Sequence, residues 1–577
     1  MKRNPRKQSI QTIGRSRAVL VMAACALAGS VLVARAVELQ VLNREFLRGQ
    51  ADVRHVRHVP VAAHRGMILD RNGEPLAIST PVWSIWADPG ALLEAPGYWR
   101  ELAAALEVSR DRLRERLQSA KGREFVWLRR RLTPEDAERV LALDAPGVGK
   151  RREYRRYYPT GEVSGQVLGF TDIDDRGQEG LELAFDEWLS GDPGRKRVVQ
   201  DRLGRVIEDL ELLQPAEHGR DLRVTLDRRL QYLAYRELKA AVQRHGARAG
   251  SLVVLDVETG EVLAMVNQPA FNPNDTSERS GNLVRNRAVT DVFEPGSTMK
   301  PLTIAAALGS GEYRPTTPVF TAPGTLQVSG HMIRDHRDLG TLDVAGVIRK
   351  SSNVGASKIA LSLESRTLWE TFSHFGLGQS TGSGFPGEVG GRLPSPNKWG
   401  PVEQATIAFG YGVSVTPLQL ARAYAAIAND GELPQVRFRP PEADGAGDAQ
   451  PVRATGERGA RQIRAMLESV VSAEGTGGRA AVPGYRVAGK TGTAHKVSAG
   501  GYAEDRYRAL FAGFAPASEP RIAAVVVIDE PQGEEYYGGQ VAAPVFARVV
   551  AGALRLLDIH PDDPGERVVA RVDGGSS

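Results

Sequence analysis

Six basic residues followed by an apolar stretch divide this chain before any motif is read. Lys2, Arg3, Arg6, Lys7, Arg15 and Arg17 all precede the first acidic residue, Glu38, and lead into an apolar run over 18–34. At 17 residues it sits at the short end of what spans a bilayer, and its many alanines make it weakly hydrophobic. Two processing readings stand beside a membrane anchor. Ala34-Arg35-Ala36 has the small-x-small form of a signal-peptidase site, and Met22-Ala23-Ala24-Cys25 is a poor lipoprotein box. The lipoprotein reading is the weaker, because the apolar run continues well past Cys25. A retained anchor is favoured over cleavage, since apolar positions continue through Val37, Leu39, Val41 and Leu42 as if one helix left the membrane. Basic flanking residues keep the N-terminus cytoplasmic, so everything from about residue 38 is expected outside the inner membrane. Cys25 is the only cysteine, so the exported part contains no disulfide and depends on packing.

The chemistry is carried by three short motifs. In Phe293-Glu294-Pro295-Gly296-Ser297-Thr298-Met299-Lys300 a serine and a lysine lie one helical turn apart, just past a Pro-Gly turn. An amine held in a poorly solvated pocket loses proton affinity, and once neutral it can take the serine's proton and create a nucleophile. Ser-x-x-Lys alone is weak, being more often a helix cap with a solvated lysine. Lys350-Ser351-Ser352-Asn353 and Gly489-Lys490-Thr491-Gly492-Thr493 follow in that order. Each alone reads as a helix start or a turn; their ordered coincidence does not. An acyl transfer needs a nucleophile, a proton shuttle, an oxyanion site and a handle on the substrate. Ser297 is the expected nucleophile and Lys300 its base. The Ser351 hydroxyl can relay a proton to a leaving amine, and the Asn353 amide can hold Lys300 and a substrate carbonyl at once. Lys490, with the Thr491 and Thr493 hydroxyls, suits a terminal carboxylate, while Gly492 lets a substrate backbone lie close.

The three motifs in this order resemble the penicillin-binding proteins and serine β-lactamases. The resemblance implies an α/β transpeptidase domain, an antiparallel sheet between helical layers, with an oxyanion hole made by the backbone N–H groups of Ser297 and Thr493, the latter on an edge strand. It also implies an aromatic wall beside the pocket, for which Tyr507, Tyr536 and Tyr537 are candidates. β-Lactamases bearing Ser-x-Asn add a water-activating glutamate in a Glu-x-x-Leu-Asn segment, and nothing between Asn353 and Lys490 matches it. An acyl-enzyme without a water activator is better resolved by an amine, which favours transpeptidation and predicts trapping by β-lactams.

The rest of the chain fits the monofunctional class B members of that family, of the division-specific kind. Arg65-Gly66-Met67-Ile68-Leu69-Asp70-Arg71-Asn72-Gly73 contains a strong hairpin dipeptide, Asn72-Gly73, with a return strand at Leu76-Ala77-Ile78. With Arg156-Tyr157-Tyr158-Pro159-Thr160-Gly161, Gly177-Gln178-Glu179-Gly180-Leu181-Glu182 and Asp201, it resembles the non-catalytic module of that class. Charges paired with glycine turns predict a buried polar knot there, not a second active site. Residues 98–145 read as short amphipathic helices, among them 134–141, forming an inserted head. The expected organisation is a basic tail at 1–17, an anchor at 18–37, an elongated mainly β (α+β) module at 38–219, the transpeptidase domain at 220–558 and a polar tail at 559–577. Within the transpeptidase domain, 251–256, 261–266, 510–514 and 522–528 read as strands, and 300–308, 418–429 and 545–557 as helices. Residues 440–456, rich in Pro, Gly and charge, read as a mobile loop.

With 577 residues, 42% of them hydrophobic and 25% charged, the chain has ample material for two or more cores. A net charge of +5 with acidic residues interleaved almost everywhere gives no nucleic-acid footprint. The histidines, including His55, His58, His331 and His336, lack supporting ligands at zinc spacing, so no metal or other cofactor is expected. The resemblance implies cross-linking of peptidoglycan stem peptides at the septum through a serine acyl-enzyme. The implied partners are the inner membrane, β-lactams, a separate septal glycan polymerase and other division proteins. The alternatives are a penicillin-binding scaffold or sensor with little turnover, and a D,D-carboxypeptidase.

Overall fold

The computed structural model describes residues 15–38, 56–200, 206–441, 452–498 and 501–563. Asp201, the expected continuation of the anchor beyond Glu38, the polar tail beyond 563 and most of the 440–456 loop lie outside the described residues. A helix over Arg15–Val37 contains an apolar stretch, Val19–Val37, long enough to cross a membrane.

The described chain forms two compact units. One draws on Met1–Ala63, Pro81–Tyr154 and Asp192–Glu217, the other on His64–Thr80, Arg155–Gly191 and His218–Ser577. Residues 64–80 and 155–191, grouped by sequence with the non-catalytic module, thus pack with the part that carries the three motifs.

In the first unit, strands Val126–Leu132 and Val148–Tyr157 both pair with Pro75–Ala87. Helix Pro134–Leu141 forms where expected, with Thr133 capping it by accepting from the Asp136 N–H and proline in its first turn. The strand Val126–Leu132 departs from the all-helical expectation for 98–145. Its run Arg129-Arg130-Arg131 hides the alternation of Val126 and Leu128, yet a guanidinium lies well over a neighbouring ring, as that of Arg130 does over Trp127 at 5.1 Å.

In the second unit the central sheet is built from β1 (Ala249–Asp256), β2 (Val262–Gln268), β3 (Ala488–Ser498), β4 (Gly501–Ala515) and β5 (Ile522–Asp529). All neighbours are antiparallel, in the order β2-β1-β5-β4-β3, which puts β3 on the edge. β1, β2, β5 and the second half of β4 are buried on both faces, so they read as nearly continuous apolar runs. Leu252, Val254, Val526 and Phe511 face α1 (Arg228–Arg244) and α6 (Ala543–Leu556). Val253, Leu255, Val525 and Leu510 face the other layer, made of α2 (Lys300–Gly309), α5 (Pro417–Ala428) and Glu457–Val470. Between these come α3 (Val344–Lys350) and α4 (Asn353–Ser362). The expected antiparallel sheet between helical layers is what forms.

The expected polar knot also forms. Glu182, wholly buried, accepts from Arg65 Nε at 2.8 Å and from Arg156 Nε at 2.6 Å. Arg65 also reaches Asp186 at 2.7 Å, and Arg156 donates to the Gly66 carbonyl and the Ser79 hydroxyl. Burial works against the Arg65 charge, yet Glu182 and Asp186 hold its proton affinity above the ordinary value.

Candidate active site

Gly296–Met299 forms a single 3-10 turn that leads into α2 at Lys300, with Pro301 in the first helical turn, where a missing N–H costs nothing. The turn is pinned from both sides. Thr298 donates its hydroxyl to the Pro295 carbonyl at 2.7 Å, and its own carbonyl accepts from the buried Tyr424 hydroxyl at 2.9 Å. These fastenings set the direction in which Ser297 leaves the helix.

Lys300 is fully buried, and its Nζ lies 3.0 Å from Ser297 Oγ, 2.8 Å from Asn353 Oδ1, 2.6 Å from the Ser351 carbonyl and 3.1 Å from Ser351 Oγ. Burial pushes its proton affinity well below that of an ordinary lysine, and the neighbouring Lys490 charge pushes it further; Asp335 draws it partly back. A neutral amine has two N–H donors and one lone pair. The two shortest contacts, to the Ser351 carbonyl and Asn353 Oδ1, use the donors and leave the lone pair to the Ser297 hydroxyl. That is the geometry of a base.

Ser351 ends α3 in the left-handed region, with φ of 61°, a conformation a non-glycine residue adopts only when its surroundings require it. The kink sets its carbonyl and hydroxyl on Lys300 and lets Ser352 cap α4, accepting from the Gly355 N–H at 2.8 Å. Lys490 Nζ donates to Ser351 Oγ at 2.9 Å, so this one hydroxyl bridges both amines. Burial pushes Lys490 down to about 7. Asn353 spends one N–H on the Arg334 carbonyl at 3.1 Å, which leaves the other for a ligand.

Edge strand β3 brings in the third motif. Lys490 and Gly492 point toward the nucleophile's turn, and a methyl at Gly492 would meet Thr298 Cγ2 and Leu510 Cδ1 at 3.0 Å. Glycine is therefore needed here for close packing. The Thr493 hydroxyl accepts from the Gly538 N–H at 3.0 Å and keeps its proton free, while the Thr491 hydroxyl pairs with Thr476 at 2.8 Å. The Thr493 backbone lies against Gly296, one residue before Ser297.

The three tyrosines gather into one stack. Tyr507 and Tyr536 lie 4.3 Å apart at 20°, and Tyr536 and Tyr537 lie 4.4 Å apart at 29°. His495 of β3 extends the stack at 4.7 Å from Tyr507, its cross-strand partner on β4, which ties the wall to the motif strand.

Three residues escape sequence reasoning. Asp335 accepts from the Ser352 hydroxyl at 2.6 Å and from the Asn353 and Val354 N–H groups at 2.5 and 3.0 Å, so it caps α4 beneath the second motif. Glu294 accepts from the Gly412 N–H at 2.8 Å and the Tyr502 hydroxyl at 3.0 Å, joining the nucleophile segment to the start of β4; burial raises its proton affinity. Thr476 is the third. Only a helix start in need of acceptors hinted at a cap such as Asp335; no local pattern marks the other two.

Residues 250–551 match the family described as penicillin binding protein transpeptidase domain, and residues 60–224 match the penicillin-binding protein dimerisation domain. The chain is 43% identical over 568 residues to the peptidoglycan D,D-transpeptidase FtsI of Escherichia coli K12, covering 97% of this chain and 95% of that one. It is 41% identical over 562 residues to the probable peptidoglycan D,D-transpeptidase PenA of Neisseria meningitidis serogroup A, with coverage of 97% and 95%. Among solved structures, penicillin-binding protein 3 of Mycobacterium tuberculosis with aztreonam superposes with a TM-score of 0.68 at 29% identity, covering 88% of this chain and 99% of that chain. The transpeptidase domain of penicillin-binding protein 3 from Burkholderia pseudomallei gives 0.54 at 46% identity, covering 59% and 97%. On the matched domains, the near full-length identity and a centre built from the three motifs, this chain belongs to the penicillin-binding protein transpeptidases, in the class B group of FtsI-type peptidoglycan D,D-transpeptidases.

Proposed function

We propose that this peptidoglycan D,D-transpeptidase works through Ser297 as the acylated nucleophile, with Lys300 as its base. The observation that carries the assignment is the Lys300 amine, wholly buried, with two acceptors for its N–H groups and the Ser297 hydroxyl at 3.0 Å. Ser297 Oγ attacks the carbonyl of the penultimate D-alanine while its proton passes to Lys300. The proton travels on through Ser351 to the departing D-alanine amine, and Lys490 supplies positive charge beside that hydroxyl. The N–H groups of Ser297 and Thr493 stabilise the oxyanion. Lys490, Thr491 and Thr493 hold the terminal carboxylate, Gly492 admits the substrate backbone, Asn353 orients its carbonyl, and Tyr507, Tyr536 and Tyr537 wall the pocket.

The acyl group then passes to the amine of a neighbouring stem. Transfer is favoured over hydrolysis because the chain carries no Glu-x-x-Leu-Asn water activator between Asn353 and Lys490, while an arriving amine can give its proton to Lys300 or Ser351. A scaffold with an idle serine gives no reason to hold an amine neutral against a hydroxyl. We place the work at the septum, with residues 38–219 as a pedestal that meets a glycan polymerase and other division proteins. The helix Arg15–Val37 serves as the anchor, with its N-terminus cytoplasmic.

Three measurements test the reading. A penicillin should leave one adduct that peptide mapping puts on Ser297, and an adduct persisting in Ser297→Ala would remove the assignment. With a thioester donor, a D-amino acid acceptor should divert product from free acid to the aminolysed compound in proportion to its concentration; rapid free-acid formation indifferent to acceptor would indicate a carboxypeptidase. N-terminal sequencing that began at Val37 would show the anchor to be cleaved.

A further inference from the structure

The first unit carries a sheet face that the acyl-transfer reading leaves unused. On Pro75–Ala87 and Val126–Leu132, the side chains of Ile85, Ala87, Leu128 and Leu132 enter a core shared with Leu92, Leu102, Leu113 and Val140 of the covering helices. The opposite face carries rings instead of helices. Trp86 stacks on Phe125 at 5.4 Å and 25°, Phe125 meets Trp127 edge-on at 4.8 Å, and Arg130 lies over the Trp127 ring at 5.1 Å. Phe125 is 39% exposed although it is the middle ring of the three. The neighbouring strand is shaped to this cluster, since a methyl at Gly149 would meet the Trp86 indole at 2.7 Å.

Charge on this face is uneven. Glu153 is used by Arg130, which reaches it through Nε at 3.0 Å and Nη2 at 2.7 Å. Arg151, on the same side of its strand as Glu153, is half-buried and finds no hydrogen-bond acceptor among the described residues. Burial lowers its proton affinity; Glu153 partly offsets this and Arg130 adds to it. A half-desolvated guanidinium without an acceptor, beside a ring cluster in which Phe125 is exposed and Trp86 and Trp127 are part-buried, suits a ligand that presents flat apolar C–H faces next to carboxylates.

We propose that this face is a second, non-catalytic binding site for peptidoglycan, with Trp127 and Phe125 stacking on sugar rings of the glycan strand and Arg151 taking a carboxylate of a stem. The proposal rests on the transpeptidase reading, which makes peptidoglycan the substrate. An acidic protein segment would answer the charge, but the glycan polymer supplies ring faces and carboxylates together. Holding one strand there keeps its stems near the enzyme between turnovers and raises their effective concentration without any new contact at Ser297.

The test uses full-length protein in detergent micelles, acylated beforehand with a penicillin so that the catalytic pocket is closed. Purified sacculi are the probe and co-sedimentation the readout. Wild-type protein should sediment with sacculi, Trp127→Ala and Arg151→Glu should bind about tenfold more weakly, and Arg151→Lys should fall between. Phe125→Ala, which removes the most exposed ring of the cluster, covers the case in which Trp127→Ala does not fold. Unchanged penicillin acylation rates in the variants would show an intact fold and catalytic centre. Stem-free glycan strands should compete with sacculi, and polyglutamate should not. The proposal is overturned if the variants bind sacculi as wild type does, or if polyglutamate competes and glycan strands do not, which would assign the face to an acidic protein partner. Loss of penicillin acylation in wild type would refute the catalytic reading instead, and the ratios among variants would still report on this face.

Discussion

The molecule buries two clusters of charged side chains in the same compact unit, and they are built on opposite rules. Around Glu182, two guanidiniums face two carboxylates, and Arg65 is held above its ordinary proton affinity. Around Ser351, two amines converge on one hydroxyl, and both lysines are pushed down. Balanced charge makes a buried group inert and tightly held. Burial that opposite charge does not balance, and at Lys300 a like charge added to it, favours the neutral amine, and a neutral amine at a serine hydroxyl is a reagent. Burial alone therefore separates nothing here; the sign and pairing of the neighbours do.

Breaking each cluster should have a different consequence. The largest effect is expected from Lys300→Arg, which keeps the charge but loses the base, because guanidinium stays protonated. Penicillin acylation should fall by about a thousandfold or more, as measured by intact mass spectrometry. Near-native acylation would mean that charge alone matters at this position, and the contrast between the clusters would fail.

The next effect is on stability. Glu182→Ala leaves Arg65 and Arg156 buried without their shared carboxylate, and should cost about 3–5 kcal/mol in urea unfolding of that unit. Acylation per folded molecule should be nearly unchanged, so a large loss of acylation would show that the knot takes part in chemistry after all.

A third prediction concerns pH. On the proposed mechanism acylation requires Lys300 neutral and Lys490 charged. The acid limb of the acylation rate should therefore rise about tenfold per unit up to the depressed Lys300 value, and the free enzyme's alkaline limb should lie near 7, where Lys490 loses its proton. A bound carboxylate ligand should move that limb upward. Lys490→Arg should retain part of the activity and erase the limb; a limb that survives in this variant would assign it to another group.

The smallest effect sharpens the comparison in the opposite direction. A buried lysine with depressed proton affinity binds fewer protons folded than unfolded, so it lowers stability at neutral pH, and its penalty fades as pH rises toward the unfolded lysine value. Lys300→Met removes that penalty in a similar shape. The variant should be inactive yet melt about 2–4 °C higher by calorimetry, whereas a lower melting temperature would mean that the Lys300 contacts stabilise the fold.

Much of this was legible in the chain. Four of the five sheet strands were readable because both faces are buried, which writes them as apolar runs, and helix Pro134–Leu141 because its apolar positions recur at helical spacing. Ser297, Lys300, Ser351, Asn353 and the Lys490 strand were readable because each motif is local. Strand Val126–Leu132 was not, because its arginine run, of which Arg130 lies over Trp127, looks like a solvated helix face in sequence.

By itself the sequence determined the residue types of the proposed catalytic centre, their order, the apolar N-terminal segment and the apolar strands that take helices on both sides of the sheet. These are properties of spacing along one chain. Tertiary structure alone decided that Ser351 turns left-handed to bridge two lysines, that Asp335 rather than another carboxylate caps α4, and that Lys300 faces Lys490 across a hydroxyl. Proton affinity depends on desolvation and on which charges lie within a few ångströms. Those neighbours come from segments far apart in the chain, so only folding brings them close enough to act.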